Sequence, residues 1–129
     1  MRLRKPLARC WTASTAALAT IDLVESELAA NASKMGARLM AGLKKLQQKH
    51  AIIGDVRGLG LFIGVEFVKD RTTKEPADDF VAKLEQRAFR KGLLLLGCGK
   101  SVIRVAPPLV LNSYDVDKGL DIFDACLTE

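Results

Sequence analysis

The sequence predicts an α+β fold, in which helices cover one face of a small, mostly antiparallel sheet. Three observations predict this class. Apolar residues recur every three or four positions over a long stretch near the N-terminus, stretches rich in β-forming residues occupy the middle, and an apolar stripe at helical spacing closes the chain. The length of 129 residues is sufficient for one hydrophobic core, so we expect one compact body.

The first element is a long amphipathic helix, predicted from about Thr15 to Lys49. Its apolar stripe consists of Leu18, Ile21, Val24, Leu28, Ala32, Met35, Leu39, Leu43 and Leu46. Such a helix is about 50 Å long at about 1.5 Å per residue, so we expect a bend between Ala30 and Gly36 and contact with a second body besides its own core. His50 lies at the C-terminal end, where the helix dipole favours a cation, and we interpret it as structural rather than as a catalytic base.

The next stretch, Val56–Val68, is rich in β-forming residues and interrupted by glycines, which predicts strands with bulges or close backbone contacts. Side chains alternate between the two faces of a strand. One face is predicted to carry Leu61, Ile63, Val65 and Phe67, and the other Phe62, Gly64, Glu66 and Val68. The polar residues 69–75 are predicted to form a loop.

The remaining elements follow from capping residues and apolar patterns. A second helix is predicted over Ala77–Lys91, with Gly92 as its C-terminal cap. Leu93–Leu96 is predicted to be a short buried strand, and residues 97–100 a turn before a strand at Ser101–Ala106. Asn112 and Ser113 are predicted to cap a last helix, whose buried stripe is Val116, Leu120, Phe123 and Leu127.

The net charge of +5 is concentrated at the N-terminus. The basic residues Arg2, Arg4, Lys5 and Arg9 all precede the first acid, Asp22. The rest of the chain is close to neutral, and its few aromatic residues are not interleaved with basic ones, so we expect no nucleic-acid partner. The basic, acid-free start also has the composition of a transit peptide.

Three cysteines, Cys10, Cys98 and Cys126, are widely spaced and form no CxxC pair, which favours free thiols in a reducing compartment over disulfides or a zinc site. We therefore expect a cytoplasmic protein. No apolar run approaches the length of a membrane span, so no membrane partner is expected. No set of metal ligands is predicted.

Arg104 is the candidate binding residue, because it lies in an apolar strand that ends at Pro107 and Pro108. A guanidinium among apolar residues is costly to bury unless a carboxylate or phosphate contacts its donors, so the strand suggests an anion site. Two alternatives stay open at this point. In the first alternative to an anion site, Arg104 lies on the solvent face of an edge strand, and in the second it is paired with a neighbouring acid.

Two short motifs lack the residues that their chemistry needs. Gly99-Lys100-Ser101 matches the end of a phosphate-binding P-loop, but the required first glycine is replaced by Leu94 and a strand follows instead of a helix. Gly58-Leu59-Gly60 lacks the third glycine of a dinucleotide fingerprint. No nucleophile–histidine arrangement is present either. The sequence therefore assigns no catalytic or cofactor-binding residue.

Three separated segments carry a family resemblance: Ala17–Asp22, Asp55–Glu66, and Leu93–Val110 with the closing helix. Together they resemble the C-terminal part of class III aminotransferases, pyridoxal-phosphate-dependent enzymes of fold type I such as 4-aminobutyrate, ornithine and acetylornithine aminotransferases. The resemblance covers residues 16–129. It implies a small C-terminal domain that packs on a larger cofactor domain, in a family whose members form homodimers mainly through that larger domain.

The resemblance also implies residue roles. Arg104 matches the family arginine that holds the carboxylate of an amino-acid or 2-oxo-acid substrate, whereas Arg57 occupies an Arg-Gly position that we interpret as structural. The family's Schiff-base lysine, its acid beside the pyridine nitrogen and its phosphate cup all lie upstream of the matched region. We therefore expect the chain by itself to bind no pyridoxal phosphate and to be catalytically silent.

Residues 1–15 depart from the family, because the expected Gly-Asn-Pro stretch is absent. This atypical basic segment is interpreted as a foreign or frame-slipped start of a truncated gene rather than as a transit peptide. Three hypotheses follow for the chain: a fragment of a class III aminotransferase, a fragment of a pyridoxal-phosphate-dependent amino-acid racemase on the same scaffold, or a stand-alone carboxylate-binding or docking module. A fragment should expose an apolar surface where the large domain belongs.

Overall fold

The computed structural model describes residues 7–129, with side chains from residue 11 onward. The elements are α1 (Leu7–Leu23), a π-helical turn (Val24–Leu28), α2 (Ala29–Lys49), β1 (Ile53–Leu59), β2 (Phe62–Phe67), α3 (Asp78–Arg90), β3 (Leu96–Cys98), β4 (Val102–Val105) and α4 (Ser113–Thr128). The predicted α+β fold is confirmed. Within this part of the chain, no helix is long and apolar enough to cross a membrane.

The four strands form one antiparallel sheet in the order β1-β2-β4-β3. One face of the sheet packs against α2, α3 and α4, and the hydrophobic core lies between these two layers. Its most completely buried side chains are Phe67, Leu43, Ile53, Ile63, Leu84, Ile103, Val65, Val116 and Cys126. Among residues 7–129, helices therefore cover one face of the sheet only, as the apolar patterns predict.

The N-terminal helical stretch differs from its prediction in two respects. It begins at Leu7 rather than at Thr15, because residues 7–17 contain no glycine or proline that would end a helix. The irregular turn lies at Val24–Leu28, whereas the predicted bend region up to Gly36 is regular α-helix. Gly36 instead allows α2 to lie close to the β1–β2 turn, because a Cβ built on it would lie 2.2 Å from the carbonyl oxygen of Gly60 in that turn.

The apolar stripe of this helical stretch is buried at one end only. Met35, Leu39 and Leu43 belong to the core. Leu18 and Ile21, the first two residues of the predicted stripe, are 63% and 50% exposed. The predicted second body for this helix is therefore not supplied by the described residues.

Strand β2 confirms the predicted alternation with one exception. Leu61, Ile63, Val65 and Phe67 are all buried. Val68, predicted on the opposite face, is buried as well. The strand ends at Phe67, and beyond it the Val68 amide donates a hydrogen bond of 2.9 Å to the carbonyl oxygen of Ile52, so strand alternation no longer determines its direction.

The predicted buried strand Leu93–Leu96 is wrong in position and in burial. Gly92 ends α3 in a Schellman motif, in which the Leu93 amide donates to the Ala88 carbonyl at 2.8 Å. Leu93 is thereby part of the cap, and β3 starts only at Leu96, as an exposed edge strand. Leu95 is the one residue of the predicted strand that is buried.

The ends of the other helices are held by specific side chains. Asn112 caps α4 as predicted, since its Oδ1 accepts a 3.0 Å hydrogen bond from the Asp115 amide. At the C-terminal end of α2, the Arg71 guanidinium donates to backbone carbonyls of Gln47, His50, Ala51 and Ile53. These bonds satisfy carbonyl groups that have no partner within the helix.

His50 has the structural environment expected of it. Its Nε2 lies 2.6 Å from Asp124 Oδ1 on α4, and its side chain is 13% exposed. Lys49 contacts the other carboxylate oxygen of Asp124 at 2.6 Å. Hydrogen bonds from Lys49 and then His50 lower the pKa of Asp124, so this carboxylate ties α2 to α4 as an anion.

Candidate functional site

The sheet face opposite the helices is uncovered within the described part of the chain. We call it the open face; it is formed by Asp55, Arg57, Leu59, Phe62, Gly64, Glu66, Leu96, Cys98, Val102 and Arg104, all exposed or half-buried. Three of its large apolar side chains are strongly exposed: Leu59 at 89%, Phe62 at 65% and Leu96 at 53%. A face of this kind is typical of a surface that another protein body covers.

Arg104 lies in the middle of this face. In the register of the sheet, Arg57, Gly64, Arg104 and Leu96 form one row across the four strands. Gly64 has no side chain, so the row leaves open space beside Arg104 on its β2 side. Arg104 is exposed, and no residue from 11 to 129 hydrogen-bonds or ion-pairs with its guanidinium.

Arg57, two strands away, is in the opposite situation. Its Nη1 lies 2.6 Å from Glu66 Oε2 and 2.8 Å from Asp55 Oδ2. Hydrogen bonds from Glu66 and then Asp55 raise the pKa of the Arg57 guanidinium. Its charge is neutralised locally, in keeping with the structural role predicted for it.

The structure corrects the sequence-based description of the Arg104 strand. Within β4 only Ile103 is fully buried, because its side chain points to the helices while Arg104 points to the open face. The strand is not an edge strand, since β2 and β3 flank it. The alternative of an ion pair with a neighbouring acid is likewise not found among the described residues, because the acids of the open face contact Arg57.

This arrangement provides one unpaired guanidinium beside apolar side chains. A guanidinium binds a carboxylate through two parallel hydrogen bonds, which fixes the orientation of the bound group as well as its position. The sequence did not reveal that Asp55 and Glu66 neutralise Arg57 and leave Arg104 free. Strand alternation places the four residues on one face, but only the register shows which of them are neighbours.

The pyridoxal phosphate implied by the family resemblance requires a lysine held in a pocket, an acid beside its ring and a phosphate-binding cup. Every lysine between Lys34 and Lys118 is exposed, on helices, loops or turns. None lies on the open face with Arg104. The described residues therefore do not form a site for this cofactor.

The cysteines do not form a functional cluster within residues 11–129. Cys98 is exposed on β3, whereas Cys126 is buried on α4, and both are free thiols. Burial raises the pKa of the Cys126 thiol, which makes it unreactive. The side chain of Cys10 lies outside the described residues. In the same part of the chain, no three His, Cys, Asp or Glu side chains are close enough to hold a metal ion.

Relatives of known activity match most of the chain. A leucine/methionine racemase of Thermococcus litoralis is 42% identical over 118 residues, which is 91% of this chain and 27% of the racemase. A 5-aminovalerate aminotransferase of Pseudomonas aeruginosa is 42% identical over 120 residues, which is 91% of this chain and 28% of that enzyme. The chain thus spans just over a quarter of the length of these relatives.

Solved structures and a family model agree with these relatives. An aminotransferase from Bacillus anthracis superposes with a TM-score of 0.82 at 32% identity, over 87% of this chain and 27% of that structure. An amine transaminase from an uncultivated Pseudomonas species superposes with a TM-score of 0.80 at 35% identity, over 88% of this chain and 26% of that structure. The family model for class III aminotransferases matches residues 10–127. The chain therefore belongs to the class III aminotransferases.

Proposed function

We propose that residues 16–129 act as the small C-terminal domain of a class III aminotransferase, in which Arg104 binds the carboxylate of an amino-acid or 2-oxo-acid substrate. The observation that carries the proposal is the unpaired, exposed guanidinium of Arg104 in the centre of the open face. The alternative acceptors nearby, Asp55 and Glu66, are already bound by Arg57.

The open face supports docking on a cofactor domain. Leu96 belongs to the row that contains Arg104, and Leu59 and Phe62 form the next row of the open face. Their exposed apolar surface favours burial against another body. Closing that body over the sheet removes water from around Arg104. Its interaction with a carboxylate then gains strength, because charges attract each other more strongly where the local dielectric constant is low.

The role of Arg104 in this proposal is to orient the substrate. Two parallel hydrogen bonds fix the carboxylate, and the amino or oxo group attached to the neighbouring carbon then projects in a defined direction. Class III aminotransferases use pyridoxal phosphate, which supplies the chemistry of amino-group transfer when bound. The described residues do not fit that cofactor, so the parent protein's cofactor domain has to supply its site.

A racemase is the second candidate, favoured by the 42% identity to the leucine/methionine racemase. Both activities act on amino acids that carry a carboxylate, so the proposed role of Arg104 is the same in each. The proposal also includes a reducing, cytoplasmic environment, supported by the free thiols of Cys98 and Cys126.

The test is a chimera in which this chain replaces the matched C-terminal segment of the Pseudomonas aeruginosa 5-aminovalerate aminotransferase. Arg104→Ala removes a charge-assisted hydrogen-bonded pair worth about 1.5–3 kcal/mol, which corresponds to a roughly 10- to 150-fold rise in KM for carboxylate-bearing substrates. The half-reaction of a primary amine without a carboxylate, measured with no 2-oxo acid present, serves as the internal control, and its KM should not change. Lys100→Ala, in the exposed turn before β4, is the matched control variant.

Each outcome separates the hypotheses. Equal losses with both kinds of substrate would show that Arg104 is structural. A chimera that folds and retains cofactor but shows no activity before mutation contradicts the proposed domain role. If that chimera fails while the chain alone binds acetate in an Arg104-dependent manner, the stand-alone module is favoured instead. Racemisation of an enantiopure amino acid, measured alongside transfer, distinguishes the second candidate.

A further inference from the structure

Gly64 lies in the interior of strand β2, where glycine is an unfavourable residue. Glycine weakens a strand because it loses more conformational freedom on folding than other residues and has no side chain to pack. A glycine in such a position often marks a bulge, a tight bend, or a place where a ligand or another backbone approaches closely. The sheet around Gly64 shows which of these explanations applies.

The fold itself does not require a glycine at position 64. All ten glycines of the chain lie among the described residues. Five of them have another atom within 3 Å of a built Cβ, and three others have a positive φ of 54–83°. Gly64 and Gly119 have neither. A Cβ built on Gly64 would lie 3.5 Å from Val102 Cγ1 and 3.9 Å from the Arg57 carbonyl oxygen, which are ordinary contacts, so the backbone accepts an alanine here.

The register of the sheet excludes a bulge at this residue. Gly64 pairs with Arg57 on β1 and with Arg104 on β4, and the pairing of residues 63–66 continues without a shift on both sides. Apart from the neighbours of Gly64 in the chain, no other described atom lies within 4 Å of its built Cβ. The remaining explanation is a group outside the described residues that lies over Gly64.

The charges beside Gly64 indicate the chemistry of this group. Paired residues of neighbouring antiparallel strands have their Cβ positions about 5 Å apart, so the space over Gly64 lies directly beside the Arg104 side chain. The Arg104 guanidinium has no partner among the described residues, whereas Arg57 on the other side is bound by Asp55 and Glu66. A backbone lying over Gly64 could offer only neutral carbonyl oxygens. A carboxylate both compensates the charge of Arg104 and accepts two of its hydrogen bonds.

We propose that Gly64 is a specificity-determining residue, because its missing side chain leaves the space in which the substrate carboxylate lies against the Arg104 guanidinium. This inference rests on the proposed function, which assigns the carboxylate to Arg104. A side chain at position 64 occupies that space and excludes the carboxylate by its size, while the guanidinium itself stays in place. Substrates that carry no carboxylate do not need the space.

The test uses the chimera described above and a series of side chains of increasing size. Gly64→Ala should raise KM for carboxylate-bearing substrates several-fold, and Gly64→Val at least about tenfold, which approaches the effect of Arg104→Ala. The half-reaction of a primary amine without a carboxylate should keep its KM in both variants. Gly119→Ala adds the same methyl group on α4, with no atom within 4 Å of the built Cβ, and is the control that should change neither KM.

Two further measurements distinguish exclusion of the carboxylate from a distortion of the sheet. In an Arg104→Ala background, Gly64→Val should change KM by less than about twofold, because the carboxylate contact that it blocks has already been removed. The Tm of the full chain, followed by circular dichroism, should be equal or higher in Gly64→Ala, because alanine loses less conformational freedom on folding than glycine.

A rise in KM that is confined to carboxylate-bearing substrates and disappears in the Arg104→Ala background supports the inference. A lower Tm for Gly64→Ala overturns it, because the fold then requires the glycine. Equal losses in the amine half-reaction, or effects of Gly64→Val and Arg104→Ala that multiply in the double variant, overturn it too and indicate that a covering backbone lies over Gly64. If Gly64→Val leaves KM unchanged while Arg104→Ala raises it, only this inference fails. An inactive chimera, or no effect of Arg104→Ala, overturns the proposed function as well.

Discussion

Replacing Gly36 with alanine tests how closely α2 approaches the β1–β2 turn. A Cβ at position 36 would lie 2.2 Å from the carbonyl oxygen of Gly60 and 2.6 Å from its Cα. Both are backbone atoms, and Gly60 itself has a positive φ of 54°, so no flexible side chain can yield. The helix and the turn must separate by about 1 Å to restore an ordinary contact.

The size of the effect follows from two opposing contributions. Alanine raises helix propensity over glycine by about 1 kcal/mol. Overpacking costs about 1–3 kcal/mol, and a backbone-to-backbone clash belongs at the upper end of that range. We therefore expect Gly36→Ala to lower the free energy of unfolding by about 1–2 kcal/mol, and the Tm by roughly 4–8 °C for a domain of this size.

Gly119→Ala is the matched control, since Gly119 also lies inside a helix but has no atom within 4 Å of a built Cβ. It should raise the free energy of unfolding by about 0.5–1 kcal/mol. Both variants are measured by urea unfolding followed by circular dichroism, with the m-value compared to that of the parent chain. If Gly36→Ala is as stabilising as Gly119→Ala, the close approach of α2 to the turn is not present.

Three further predictions concern single side chains. Arg71→Ala should lower the free energy of unfolding by about 1–2 kcal/mol in urea titrations, because carbonyls at the end of α2 lose their donor; no loss would contradict this capping role. The lowered pKa of Asp124 contributes stability that is present above about pH 4 and is lost as the pH falls through the folded-state pKa. Asp124→Asn should therefore reduce the fall of Tm between neutral and acidic pH. An unchanged fall of Tm would contradict a contribution of Asp124 to acid-dependent stability. In a Cys10→Ser background, a thiol reagent should modify Cys98 at once and Cys126 only on unfolding. Rapid modification of two thiols in the native chain would refute the burial of Cys126.

The elements with strong local signals were predictable. The Asn112 cap, the Gly92 cap and the alternation from Leu61 to Phe67 each depend on residues a few positions apart, and the structure contains all three. The predicted start of the first helix and the predicted strand at Leu93–Leu96 were wrong. In both cases the local pattern allowed two boundaries, and helix continuity or cap geometry selected the other one.

The sequence predicted which residue is the candidate binding residue, Arg104, but not which side chains surround it. An arginine in an apolar strand suggested an anion site, and the family resemblance added the substrate carboxylate. The sequence could not show that Arg104 is exposed and unpaired, because this depends on the pairing of β2 with β1 and β4. Because of that pairing, Glu66 and Asp55 contact Arg57, and no acid among the described residues contacts Arg104.

By itself, the sequence determined the α+β class, the apolar stripes that build the core and the family of the chain, because these depend on periodicity and on the identity of neighbouring residues. The tertiary structure decided which apolar surfaces have no cover among the described residues: the open face of the sheet and the exposed side chains of Trp11, Leu18 and Ile21 on α1. Periodicity marks a residue as able to be buried. Only the arrangement of the elements in space determines whether anything buries it.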